Sequence, residues 1–392
     1  MTCHYAFVDW QNGKDGSGTF STNISDAPTW RTLQFALDSV SNYSASGLST
    51  AFTMFIMPGT YNASATVNNR NLSVIANSSR YSAPIIPDVS VVPKSESQTF
   101  LECLNGSISL VGLSFSNFGA TCLNLCGTES VKIEHCLFEK NVAFEIGTSL
   151  FANNVQTLKI HNCSFYNNRA KQGDVNILQC NFVNITSCCF FNISPSSSLP
   201  NTFGVAIVVN MAENVLIHSN TFLENKAVQG GAILSSNSQL SLHKNSFISN
   251  SASEAGACWV TRSSAKITDC HFTNNSASIG FGALLFDRSL VLIENCTIND
   301  NRANINGAGI GVLCSSKLSI IHCNFSNNSA LQGSGGAIFI QKSGSVVATN
   351  SKFTSNNGTI NGGAVINFGY LKVGNGQFLS NIAMNRGMCP QI

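Results

Sequence analysis

Acid–base chemistry on a polymeric substrate needs two carboxylates, or a carboxylate and a basic group, presented on one face. This sequence is sparing with both. It holds only 19 acidic residues among 392, and none follows Asp300. Glu134, Asp269 and Glu294 recur at bends of a repeat, where no acidic neighbour is expected on the adjoining copy. Glu139 and Glu224 fall three copies apart. Paired aspartates, Gly-His-Gly and Arg-Ile-Lys motifs are all missing. Asp9, Asp15 and the irregular stretch 80–107 are the places where catalysis is least excluded, and no catalytic residue or cofactor is expected. His218 and His243 stand at the same point of two successive copies, so they could share a metal or respond to pH. Two exposed polar residues at a bend is the favoured reading, and Lys132 and Lys159 read in the same way as an outward, solvated pair.

The 15 cysteines divide into two groups. Cys136, Cys163, Cys188, Cys270, Cys296 and Cys323 share one repeat position, and Asn220 and Asn245 fill it between them. Neighbours stacked in register point their Cβ atoms the same way, which is poor geometry for a disulfide; a ladder of small buried thiols is expected. Cys122, Cys126, Cys180, Cys189, Cys258 and Cys314 lie off that column and are the better disulfide candidates. Zinc needs tightly spaced tetrahedral ligands, which Cys122 and Cys126 lack. Of the many Asn-x-Ser/Thr sequons, Asn162 and Asn295 fall at bends and Asn274 and Asn327 in a turn, where a glycan has room.

The elements that must position these residues follow from a repeat of roughly 25 residues, within the period range of solenoids and propellers. Its phrase is V-x-I-x-x-C/N-x-F-x-x-N, then a polar turn, then G-G-A-I. Residues 215–225 followed by 230–233 give one copy, and 318–328 followed by 335–338 another. "V-x-I" alternates as a half-buried strand does. The alternation then slips at a residue that tolerates a left-handed backbone (Asn162, Asp269, Asn295, Asn350, Asn375). A second short strand follows, and no helical period intervenes. The expected fold is all-β: a single right-handed parallel β-helix of about a dozen coils.

Stacked coils bring like residues together at about 4.8 Å. The expected core columns are the phenylalanines, among them Phe138, Phe165, Phe222, Phe247, Phe272 and Phe325, and a strand column from Leu110 to Ile320. Gly231, Gly256, Gly282, Gly336 and Gly363 form a third column, with Ala308 in its gap. There the backbone either turns with positive φ or presses on a neighbour that leaves no room for a Cβ.

Residues 1–50 are expected as an N-terminal cap with one short amphipathic helix near 30–40. Residues 51–107 give irregular first coils and a loop, 108–381 the regular coils and 382–392 the C-terminal end, all in one domain. The Ser-Pro-rich stretch 194–200 reads as a protruding insertion. Asp15-Gly-Ser-Gly-Thr-Phe20 and Pro58-Gly-Thr-Tyr61 resemble the opening of pectin-lyase-fold proteins. Over 108–381 the paired G-G-A-I and F-x-x-N motifs resemble the repeats of polymorphic outer-membrane proteins of the chlamydial type and of similar protist surface proteins. That resemblance implies a β-helical passenger displayed at a cell surface and used in adhesion. Nothing here resembles the membrane barrel of the bacterial members. Residues 1–6 lack the regions of a signal peptide, so the chain reads as unsecreted by that route or as a fragment.

Charge narrows the partners. Only 10% of residues are charged and the net charge is +2, which gives no electrostatic case for nucleic acid. No apolar run is long enough to span a membrane. The abundant Asn, Ser, Thr and Gly make a neutral, hydrogen-bonding surface. The function expected is a non-enzymatic extracellular or surface scaffold binding carbohydrate or a cell-surface protein. The alternative is a carbohydrate-active enzyme of the pectin-lyase fold, which an acidic cluster on one sheet face would favour.

Overall fold

The computed structural model describes residues 2–16, 19–43, 50–76, 89–93, 95, 98–143, 146–196 and 205–383. Residues 80–88, 94, 96 and 97 of the loop expected within 80–107, the end of the 194–200 insertion and all but the start of the 382–392 segment lie outside them. Val89–Val92 and the start of Leu101–Val111 are strands, so that part of 80–107 belongs to the coils and not to a loop. The chain packs as two compact units, Met1–Cys188 and Cys189–Ile392. Both are right-handed parallel β-solenoids.

In the first unit, Thr2–Val8 pairs in parallel with Thr50–Ile56, which pairs with Ala65–Ala76, which pairs with Leu101–Val111. The segment expected only as a cap thus contributes a full strand. Its alternating Tyr5-Ala6-Phe7-Val8 pattern buries Ala6 and Val8. The helix runs Leu33–Ser41 and buries Leu33, Ala36, Leu37 and Val40. It starts later than the apolar spacing suggested, because Thr32 is its N-cap, accepting from the Phe35 N–H. Trp30 lies instead in a two-residue strand beside Val8, with its ring edge-on to Phe20 and Phe35.

A coil of the second unit shows the repeat plainly: Leu284–Asp287, Leu290–Glu294, then Thr297–Asn299. Each strand pairs in register with its counterpart on the next coil. Between strands the chain turns through one left-handed residue. Arg288, Asn295 and Asp300 do so here, at φ 49°, 53° and 57°. The slip residues Asn162, Asp269, Asn350 and Asn375 all have φ between 50° and 53°, as their type suggested.

The phenylalanine column forms as expected within each unit. Phe138 and Phe165 stack at 5.0 Å; Phe222, Phe247 and Phe272 follow one another at 4.8 and 4.7 Å; Phe325 stands 4.7 Å from Phe353. Planes within 8° of parallel are imposed by the in-register backbone, whose rung spacing is close to an aromatic stacking distance.

For the glycine column the structure selects close approach. A Cβ on Gly231, Gly256, Gly282, Gly336 or Gly363 would overlap a carbonyl oxygen of the next coil. Positive φ belongs instead to the preceding residue of the doublet, as at Gly230, Gly335 and Gly362.

The last residue of F-x-x-N forms a ladder that alternation alone does not announce. Asn225, Asn250, Asn275, Asn301, Asn328 and Asn356 are each fully buried. Each Oδ1 from Asn250 onward accepts from the backbone N–H and the Nδ2–H of the asparagine one coil before. Every Nδ2 also donates to a phenylalanine or isoleucine carbonyl of the previous coil. Amide side chains are thereby satisfied inside an apolar core, which is the condition for keeping them there.

Candidate functional site

Among the described residues the buried cysteines offer no reactive site. All fourteen described cysteines are thiols rather than disulfides, so the pairings expected for Cys122, Cys126, Cys180, Cys189, Cys258 and Cys314 do not form. Burial lifts the Cys122, Cys163 and Cys258 thiols well above the usual range. Cys296 is pushed up to about 12, chiefly by its hydrogen bond with Cys270. Cys163, Cys188, Cys270, Cys296 and Cys323 instead bond backbone carbonyls at 3.2–3.8 Å. A protonated buried thiol is neither a nucleophile nor a metal ligand.

Asp9 and Asp15 are spent on local structure. Asp15 accepts from the Arg31 and Thr32 N–H groups and from the Thr32 hydroxyl, fixing the entry to the helix. Asp9 accepts from the N–H groups of Gln11 and Asn12 and from the Asn12 side chain, which holds its carboxyl below the usual range.

The residues that do converge lie on one outward strand face of the second unit, formed by Asn214–His218, Gln239–His243, Ser264–Thr268 and Leu290–Glu294. Neighbouring coils there are in register, so His218 faces His243 and Thr268 faces Glu294. The histidine pair expected from the repeat is real. Asp269, the left-handed corner residue, donates its N–H to the Glu294 carbonyl. Asp269 therefore has an acidic neighbour on the adjoining coil, contrary to expectation. The alignment placed the two in different columns, but a corner residue sits diagonally against the strand end above it.

Together with His218, His243, Ser241 and Lys266 they line an open groove of about 570 Å³. His243 Nδ1 stands 3.3 Å from Asp269 Oδ2 and 2.9 Å from Thr268 Oγ1. An ionised carboxylate only accepts, so a hydrogen bond from His243 to Asp269 uses a proton on Nδ1, while the Thr268 hydroxyl can give or take one. Among the described residues no group of three or more His, Cys, Asp or Glu side chains is arranged to hold a metal ion. A second cavity of about 440 Å³ opens at the other end of the same strands, beside Asn237, Gln239, Arg262 and Ser264. A ladder of buried serines walls that corner: Ser238, Ser263 and Ser289 each donate their N–H to the hydroxyl of the next, ending on Ser316.

Of the sequon asparagines, Asn274, Asn295 and Asn327 are exposed and Asn162 is half-buried. Asn162 Nδ2 lies 2.9 Å from His135 Nδ1. Lys132 and Lys159 are cross-strand partners, and Lys132 also reaches Glu134 at 2.8 Å. No helix among the described residues is long and apolar enough to cross a membrane.

Stacked parallel coils with an outward polar groove define a β-helix repeat protein. The chain belongs to the family described as right handed beta helix region, which matches residues 99–264 and 206–381. No curated protein matches the sequence. Among solved structures it is similar to the mannuronan C-5 epimerase AlgE4 A-module of Azotobacter vinelandii, at 10% identity and a TM-score of 0.40, over 98% of each chain. It is also similar to ORF18 of Geobacillus virus E2, at 10% identity and a TM-score of 0.31, over 97% of this chain and 60% of that one.

Proposed function

We propose that this protein is a non-enzymatic extracellular or surface-displayed scaffold that binds a glycan along the groove of its second unit. The observation that carries this reading is the groove itself. It is open, crosses four neighbouring strands, and presents imidazole, amide, hydroxyl and charged groups, as a hydroxyl-rich chain requires. The exposed sequons Asn274, Asn295 and Asn327 support an extracellular setting. The resemblance of the G-G-A-I and F-x-x-N repeats to polymorphic outer-membrane proteins supports display and adhesion. The test is a glycan array on the full chain, followed by titration of the best ligand into wild type and His243→Ala. The reading expects saturable binding weakened about tenfold or more by the variant, the equivalent of losing one or two good hydrogen bonds. Binding that His243→Ala leaves untouched, or no binding at all, overturns it.

A carbohydrate-active enzyme is the second reading, favoured by the meeting of His243, Asp269 and Glu294 in one groove. One group takes a proton while another gives one, which is the minimum acid–base equipment for bond cleavage in a glycan. Mass spectrometry of the bound glycan after long incubation decides it. Shortened or isomerised products that vanish in Asp269→Asn establish catalysis; an unchanged ligand removes it.

A further inference from the structure

Arg262 and Arg288 occupy the same left-handed corner on adjoining coils, at φ 48° and 49°. The Arg262 N–H donates to the Asp287 carbonyl, fixing the two corners one rung apart. Both side chains are exposed. The backbone does not ask for arginine here. Asn154, Gln179 and Asn237 meet the same turn at φ 53–54° and 49°, and the short amide of asparagine suits that conformation better than arginine. Like charges one rung apart, at roughly 5 Å, repel. Arg288 is partly offset by Asp287, with Nε 3.7 Å from Oδ1. Among the described residues no carboxylate lies within ion-pair distance of Arg262. Glu213 lines the same cavity but forms no ion pair with it. Beside Arg262, Asn237, Gln239 and Ser264 offer amide and hydroxyl donors. Lys266 continues the cationic line on the same strand face, four residues and about 13 Å farther on.

We propose that the Arg262–Arg288 corner is a binding site for an oxyanion, a carboxylate or a sulfate ester, so that the glycan in the groove is anionic. This rests on the glycan-binding reading and adds the charge of the ligand to it. A guanidinium pair one rung apart can clasp such a group through several N–H donors while relieving its own repulsion. Lys266 then meets a second anionic group farther along the chain.

The experiment titrates hyaluronan, dextran sulfate and neutral dextran into the protein at low and high salt. The same titrations follow with Arg262→Gln/Arg288→Gln. Gln179 already occupies an equivalent corner, so glutamine suits the backbone, and an unchanged melting temperature verifies folding. The expected result is binding of at least one polyanion, weakened by salt and by about tenfold or more in the double variant. Hyaluronan alone identifies a carboxylate, dextran sulfate alone a sulfate ester. Dextran binding as tightly as the polyanions overturns this inference and leaves the glycan reading standing. A polyanion held equally well by the double variant overturns the site. Binding of none of the three, together with an empty glycan array, removes both.

Discussion

Phe281 and Gly311 are fitted to each other across adjacent coils. Phe281 holds φ +67° at the position where Gly230, Gly307, Gly335 and Gly362 sit on other coils. Its ring covers Gly311 so closely that a Cβ there would overlap Phe281 Cδ1. The ring joins Leu285, Trp259, Leu313 and Phe339 in an apolar cluster outside the sheet. A left-handed aromatic residue is strained by about 1–2 kcal/mol, and this packing offsets the strain.

Gly311→Ala is therefore expected to destabilise the protein by about 1–3 kcal/mol through overpacking. Phe281→Gly relieves the backbone but loses the cluster. In the double variant the alanine meets no ring, so its added cost nearly disappears. Denaturant melts of the four proteins measure this coupling, and strictly additive effects would refute the pairing.

Gly256→Ala tests the close-approach column. Its Cβ would overlap the Gly282 carbonyl oxygen, a backbone atom fixed by the ladder, so we expect a loss above about 2 kcal/mol or failure to fold. Gly280→Ala is the control. The nearest atom to its added Cβ is Asn306 O at 3.6 Å, and its melting temperature should stay close to wild type.

Asn275→Ala removes the acceptor for two donors of Asn250 and the donor to the Phe247 carbonyl, all buried. A loss of about 2–4 kcal/mol is expected. Asn381→Ala, at a half-buried end of the ladder, should cost less. Equal losses in thermal denaturation would contradict a cooperative buried ladder.

Asp174 supplies a pH dependence. It occupies the alanine position of the repeat, fully buried, and burial pushes its carboxyl up to about 6 against the bonds it accepts from Ser149 and Asn168. The folded protein binds this proton more tightly than the unfolded chain. The stability involved is fully present below the unfolded value of 3.8 and is lost as pH rises through about 6. Its size is about 3 kcal/mol. Asp174→Asn should melt higher than wild type at pH 8, lose about half of the difference by pH 5 and most of it by about pH 4. A wild type whose melting temperature does not fall between those pH values rejects this account.

Much of the architecture is legible in the residues themselves, because a parallel stack sets each residue against its own counterpart. Phe247 must meet Phe272, and His218 must meet His243, once the repeat is aligned. Left-handed corners at Asn295 and Asn350 follow from what asparagine tolerates. The asparagine ladder was visible as the last letter of F-x-x-N, but polarity argues for exposure until the core's carbonyls are seen to satisfy each amide. Diagonal neighbours were out of reach. Asp269 beside Glu294 depends on how a corner projects over the strand end above it. Copies 25 to 28 residues apart in the hydrogen-bond ladder absorb their differing lengths in the turns. The repeat therefore determined the columns, and only the folded turns decided which columns touch.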